Sequence, residues 1–98
     1  MILNIGGNII DTKGIYYISE VNLSDHSFDI VFFNKIILNI RTKHIISFFI
    51  ENPILENETE EAHFDRVNEL AVDNLKRVKS DLVDLWKENQ YIVREILL

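Results

Sequence analysis

Glu60 and His63 are the residues of this sequence whose types and spacing best suit metal chemistry. On a helix, a Glu-x-x-His pair can present two metal ligands on one face. Di-iron bundles need two such motifs and two further carboxylates, whereas this sequence contains one motif. We therefore interpret the pair as solvated residues in the first turn of a helix, and we predict no metal site.

The other two histidines, His26 and His44, fall in predicted loops and belong to no catalytic motif. The chain has no cysteine, which excludes a cysteine nucleophile and a thiolate zinc site. No Gly-x-Ser-x-Gly elbow is present to offer a serine to a catalytic histidine. The sequence thus predicts a protein that is not an enzyme and has no catalytic residues.

Gly6 and Gly7 are the residues that could hold a phosphate group. A phosphate-binding loop places its glycines between a strand and the N-terminus of a helix. Here the β-prone residues 2–5 precede the glycines, and the equally β-prone residues 8–11 follow them. This pattern is typical of a tight hairpin, because both central positions of a type I′ turn need positive φ. No cofactor is predicted.

Lys35, Arg41 and Lys43 are the cationic residues that could form a nucleic-acid site in the first half of the chain. Aromatic rings beside such residues can stack on single-stranded nucleic acid. The aromatic residues available for stacking are Tyr16, Tyr17, Phe33 and Phe48. Against this, the net charge of −6 opposes non-specific binding, and strand edges often use Lys and Arg to block aggregation. Single-stranded nucleic-acid binding is therefore the alternative prediction.

Residues 51–61 form an acidic stretch that contains no lysine or arginine. Its acids are Glu51, Glu56, Glu58, Glu60 and Glu61. Such a stretch can attract a basic partner. It is also typical of a solvated loop that leads into a helix, whose first turn favours negative charge. We prefer the second interpretation.

Six short runs rich in β-branched and aromatic residues predict strands in the first half of the chain. The runs are 2–5, 8–11, 15–21, 28–33, 36–40 and 45–50. Only Asn34 and Lys35 separate two of them, which predicts a two-residue hairpin with Asn34 suited to the left-handed conformation. An antiparallel β-meander of four to six strands is expected.

A long helix is predicted after Pro53, from about residue 58 to residue 88. Its apolar stripe advances in steps of three or four: Phe64, Val67, Ala71, Leu75, Val78, Leu82 and Leu85. Residues 91–98 fit either a short helix or a strand, and a helix is preferred, so that 57–98 is treated as a helical segment. The chain is thus predicted to be one α+β domain, a meander followed by one long C-terminal helix packed on the sheet.

The apolar residues exceed what one sheet and one helix can cover. A helix of about 30 residues is roughly 45 Å long, whereas a six-residue strand spans about 20 Å. Both faces of the predicted strands are also apolar, although a meander with one helix on it should be polar on its second face. We therefore predict a homodimer that uses this second face and the C-terminal helix. The candidate partner-binding residues are Val31, Phe33, Phe48, Leu82, Leu85, Trp86, Tyr91 and Leu97.

Two alternatives to this sheet-face dimer remain open. The sheet can close on itself as a small barrel, which would bury its inner face without a partner. The stripe on the helix also has heptad spacing, which permits pairing as a coiled coil. A further protein partner, bound or inhibited by the module, is left open and unidentified.

The absence of disulfides, of a charged-then-apolar leader and of an apolar run near 18 residues predicts a soluble, cytoplasmic protein without a membrane partner.

Overall fold

A computed structural model describes residues 1–43, 45–87 and 93–96. Within these residues the chain forms strands β1 to β5, then two helices, then strand β6. Their bounds are β1 Ile2–Ile5, β2 Asn8–Asp11, β3 Ile15–Ile18, β4 Ser27–Phe32, β5 Ile37–Arg41, α1 Ile45–Glu51, α2 Glu60–Lys87 and β6 Val93–Ile96. The predicted α+β fold, with antiparallel strands followed by one long C-terminal helix, is confirmed.

The described strands make two separate three-stranded sheets in place of one continuous meander. One sheet has the order β2-β1-β6 and the other the order β3-β4-β5. A short 3-10 turn over Thr12–Gly14 connects them. The two sheets share one core, because Leu3 and Ile5 of β1 lie in the same cluster as Phe28 and Ile30 of β4.

The Gly6–Gly7 turn is the tight hairpin that the sequence predicts. Gly6 has φ of 56° and Gly7 has φ of 86°, so both occupy the region that other residues avoid. The Asn4 side chain closes the turn by accepting a hydrogen bond from the Gly7 amide at 3.0 Å. The glycines are therefore used for chain reversal between β1 and β2.

The turn between β4 and β5 is longer than the two residues that the sequence predicts. Strand β4 ends at Phe32 and β5 begins at Ile37. The left-handed conformation falls on Lys35, with φ of 70°, because the Asn34 side chain instead accepts a hydrogen bond from the Ile36 amide at 3.1 Å. The predicted antiparallel pairing of the two strands holds, with Ile30 opposite Leu38.

Residues 45–50 were predicted as a strand, and this prediction is wrong: Ile45–Glu51 is helix α1. Helical spacing lets Ile45, Phe48 and Phe49 share one side, where they pack with Val67 and Ala71 of α2. A short apolar run does not reveal its period, so the tertiary contact decides between strand and helix.

The preference for a helix over residues 91–98 is also wrong where the structure describes them. Residues 93–96 form β6, which runs parallel to β1 and buries Ile96 in the core.

Helix α2 spans both cores. Its 28 residues correspond to about 42 Å at 1.5 Å per residue, in a molecule whose longest dimension is 50 Å. Leu75, Val78 and Leu82 pack on the two sheets, whereas Val67 and Ala71 pack on α1. The predicted overhang of the helix therefore exists, and α1 covers part of it. Neither helix in the described ranges is both long and apolar enough to cross a bilayer.

Candidate interaction surface

The outer face of the β3-β4-β5 sheet carries an exposed apolar surface. Side chains of β4 alternate, so Phe28 and Ile30 lie in the core while Val31 points to the other side. The strand register places Tyr17 of β3 and Ile37 of β5 on either side of Val31. A row of three apolar side chains therefore crosses all three strands.

Two aromatic rings extend this row. A register shift between Ile15 and Tyr17 leaves both Tyr16 and Tyr17 exposed, although strict alternation would place one of them inside. Tyr16 is 63% exposed and Phe33 is 68% exposed, and their ring centroids lie 5.3 Å apart. We call the surface formed by Tyr16, Tyr17, Val31, Phe33 and Ile37 the sheet patch.

The sheet patch contains a shallow groove of about 410 Å³. Its lining residues are Tyr16, Val31, Phe32, Phe33, Lys35 and Ile37. Five of the six are apolar or aromatic, and Lys35 supplies the one charge. Such a groove offers burial of apolar groups and a single cationic contact.

The opposite border of the sheet patch is polar. Asp29 lies two residues before Val31 and so shares its face. Its carboxylate accepts a hydrogen bond from the Asn39 amide group at 2.8 Å, and Arg41 Nε donates to the Asn39 carbonyl oxygen at 2.9 Å. The patch thus runs from Lys35 at one end, through apolar side chains, to this hydrogen-bonded row at the other.

The predicted partner-binding residues divide into three groups. Val31 and Phe33 lie on the sheet patch. Phe48 and Leu82 are only 6% and 0% exposed, so they belong to the two cores and are removed from the candidate surface.

The remaining four predicted partner-binding residues lie near or beyond the end of α2. Leu85 and Trp86 are half-buried against the sheet core. Tyr91 and Leu97 lie outside the described residues. Among the described candidates, those that are exposed or lie at an exposed face are therefore on the sheet. The sheet patch also includes Tyr16 and Tyr17, which the sequence analysis named only for nucleic-acid stacking, and Ile37, which it did not select. Ile37 lies opposite Val31 because the turn between β4 and β5 is longer than the predicted two residues, which shifts the register by one residue.

The cationic residues of the alternative nucleic-acid prediction do not act as one cluster. Lys35 borders the sheet patch, and Arg41 is engaged by Asn39. Lys43 Nζ lies 2.8 Å from a carboxylate oxygen of Glu51 and 4.7 Å from the centroid of the Phe48 ring. Of the four aromatic residues proposed for stacking, Phe48 is buried.

His63 and His26 each make a hydrogen bond that connects two parts of the fold. His63 Nε2 makes a hydrogen bond with the backbone oxygen of Asn52 at 2.8 Å, and its ring meets Phe49 edge-on. His26 Nε2 lies 2.7 Å from the side-chain oxygen of Asn68, which ties the β3–β4 connection to α2. No group of three or more potential metal ligands comes together in the part of the chain that the structure describes. His44 lies outside that part.

A larger hollow of about 530 Å³ lies between the β3–β4 connection and α2. Its lining residues are Glu20, Val21, Leu23, Lys76, Lys79, Ser80, Val83 and Asp84. Lys79 and Glu20 approach to 3.5 Å across it. Because charges of both signs line this hollow and partly neutralise each other, it favours neither an anion nor a cation.

Comparison with known proteins found no matching family model, no matching curated protein and no matching solved structure.

Proposed function

We propose that this protein is a non-enzymatic interaction module that forms a symmetric homodimer through the sheet patch. The observation that carries the proposal is the row Tyr17–Val31–Ile37, flanked by the exposed rings of Tyr16 and Phe33. Burial of one large apolar side chain contributes roughly 1.5–3 kcal/mol, so a surface that covers this patch gains several such increments. Contiguous exposed apolar surface of this kind is typical of protein–protein contacts.

The charges around the sheet patch favour a second copy of the chain as the covering surface. Lys35 and Asp29 lie on opposite sides of Val31 along the same face. In a two-fold interface each surface meets itself in reversed orientation. A two-fold axis that passes near Val31 and lies across the strands therefore brings Lys35 of one copy toward Asp29 of the other copy, while the apolar rows face each other.

Light scattering coupled to size exclusion tests the proposal with two matched variants. Phe33→Asp places a charge in the sheet patch, and Leu23→Asp places one on an exposed apolar residue away from it. We expect twice the monomer mass for the wild type and for Leu23→Asp. Because a symmetric dimer loses this ring from both copies, about 4 kcal/mol or more, Phe33→Asp should weaken the dimer by on the order of a thousandfold. A wild type of monomer mass at high concentration contradicts the proposal.

Charge exchange tests the orientation of the two copies. Lys35→Glu alone should weaken the dimer, because it would face the partner's Asp29. The double variant Lys35→Glu with Asp29→Lys restores opposite charges and should recover affinity. A double variant that dimerises no better than Lys35→Glu contradicts the two-fold arrangement and leaves the dimer itself intact.

Single-stranded nucleic-acid binding is the second candidate, and the adjacent exposed rings of Tyr16 and Phe33 beside Lys35 favour it. A labelled oligothymidine is the probe. This function requires binding that weakens steeply with salt and is lost on Lys35→Ala combined with Arg41→Ala. Absence of binding at low salt excludes it.

A further inference from the structure

A second exposed apolar surface lies at the end of the molecule formed by α1 and the start of α2. Its residues are Ile46, Ile50, Ile54, Leu55 and Phe64, all of them exposed, and we call this surface the end patch. Ile50 is 76% exposed and Phe64 is 56% exposed. None of these residues belongs to the sheet patch, so the end patch is a separate surface.

Phe49 connects the two helices within the end patch. Its half-buried ring lies 6.1 Å from the Phe64 ring of α2, centroid to centroid. Ile46 and Ile50 are one helical turn apart, on the side of α1 next to Phe49. The apolar surface therefore continues from α1 across Phe49 to α2.

The loop that carries Ile54 and Leu55 is fixed in place by an ionic clamp. Arg66 donates from Nε to Glu58 at 2.9 Å and from Nη2 to the backbone oxygen of Pro53 at 2.9 Å. Glu58 in turn accepts a hydrogen bond from the Leu55 amide at 3.0 Å. The hydrogen bond from Arg66, and then that from Leu55, lowers the pKa of Glu58 from 4.5 to about 2, so the clamp stays ionised at neutral pH.

A fixed loop that exposes two large apolar residues is a pre-organised binding surface. In a mobile loop, these two residues would be able to fold back onto the protein and so reduce their contact with water. Because the clamp holds them outward, little conformational entropy remains to be lost when a partner binds.

The electrostatic surroundings of the end patch are negative. Residues 45–65 contain six acids and no lysine or arginine. The nearest cations in the sequence, Lys43 and Arg66, are already paired with Glu51 and Glu58. Among described residues, no ion pair involves the exposed acids of this region, which are Glu56, Glu60, Glu61 and Asp65.

We infer that the end patch binds a basic amphipathic helix of another protein. Apolar side chains of such a helix, spaced three and four residues apart, would cover the end patch. Its lysines and arginines would face the acids around the patch. This inference does not depend on the proposed dimer, because it uses a different surface.

A second copy of the chain does not fit the end patch as well. On α2, Lys76 and Lys79 line the hollow together with Glu20 and Asp84, and Arg77 pairs with Asp81, so acids of the same chain already partly neutralise these cations. An anionic membrane is opposed by the same acids that attract a basic helix. Charge complementarity therefore selects a basic helical partner.

A pair of synthetic peptides tests this inference. The probe is a peptide of about 18 residues, or five helical turns. Its leucines are spaced three and four residues apart so that they form one face of the helix, and its other positions are lysine. The control peptide keeps every leucine and replaces each lysine by glutamate. In calorimetric titrations with the full chain we expect saturable binding of the basic peptide and none of the acidic one. Equal binding of both peptides, or no binding of the basic peptide, overturns the inference, as does preferential binding to anionic vesicles.

Variants locate the binding surface. Ile50→Ser with Phe64→Ser should abolish binding, and because both side chains are exposed, the circular dichroism spectrum should stay unchanged. Glu56→Lys with Glu61→Lys should weaken binding roughly five- to thirtyfold, as expected for two exposed ion pairs. Asp73→Lys, an exposed acid on another side of α2, is the matched control and should bind normally. Unaltered binding by the Glu56/Glu61 pair overturns the inference. The Phe33→Asp variant should bind the peptide normally, which separates this site from the dimer.

Discussion

Glu58 is the residue at which charge and structure are most closely coupled. Arg66 and the Leu55 amide stabilise its carboxylate and lower its pKa from 4.5 to about 2. Because the folded-state pKa lies below the ordinary value, ionised Glu58 stabilises the fold fully above pH 4.5. This stabilisation is lost as the pH falls from about 4.5 to about 2.

The Glu58→Gln variant should therefore be less stable than the wild type at neutral pH, and this difference should shrink through that pH interval. Chemical denaturation at a series of pH values measures it. Glu56→Gln, an exposed residue without an ion pair among the described residues, should follow the wild type at every pH. A difference for Glu58→Gln that does not change with pH would show that the clamp contributes no charge-dependent stability.

Gly7 makes a second prediction at the scale of a residue. A Cβ at Gly7 would meet no atom within 4 Å, but its φ of 86° strains any residue other than glycine. Gly7→Ala should therefore cost about 1–2 kcal/mol of unfolding free energy. Gly14→Ala is the control, because its Cβ would make an ordinary 3.5 Å contact with Phe32. Equal effects of the two substitutions would contradict the assignment of the Gly6–Gly7 turn.

At the scale of elements, the sequence predicts a helix, strand or turn correctly where nearby residues determine it, and incorrectly where contacts with distant residues determine it. The Gly6–Gly7 hairpin and the extent of α2 follow from local signals, namely two adjacent glycines and a long stripe with a period near 3.6. Residues 45–50 are a short apolar run, and residues 93–96 are a short segment of two apolar and two charged residues, and neither shows a clear period. Their structures depend on packing against α2 and on pairing with β1, which the local sequence does not contain.

Helix α1 should depend on Phe48 for its position on α2. Phe48 is buried with Val67 and Ala71, so Phe48→Ala should leave a cavity and cost about 3–5 kcal/mol. Phe64→Ala, which removes an equal side chain from an exposed position, should cost far less. Thermal denaturation of the two variants provides the comparison. If both lose the same stability, α1 does not pack as described.

At the scale of the whole molecule, the sequence predicts an excess of apolar surface more reliably than its location. The second face of the β3-β4-β5 sheet is apolar and exposed as expected, and Val31 and Phe33 lie on it. Leu82 is predicted to face a partner because a stripe on a helix does not show which of its residues the sheets will cover. Phe48 is predicted to face one because residues 45–50 are expected to form a strand with two apolar faces, whereas they form α1 and bury Phe48. Tyr16 is absent from the predicted partner-binding residues because a register shift, which the sequence does not reveal, leaves both Tyr16 and Tyr17 exposed.

The central claim is that the sheet patch is covered by a second copy of the chain. Sedimentation velocity over a range of micromolar concentrations tests it most directly. We expect the wild type to shift from monomer to dimer as its concentration rises, whereas Phe33→Asp remains monomeric over the same range. A single monomeric species at every wild-type concentration would contradict the claim, since the patch would then remain exposed to water.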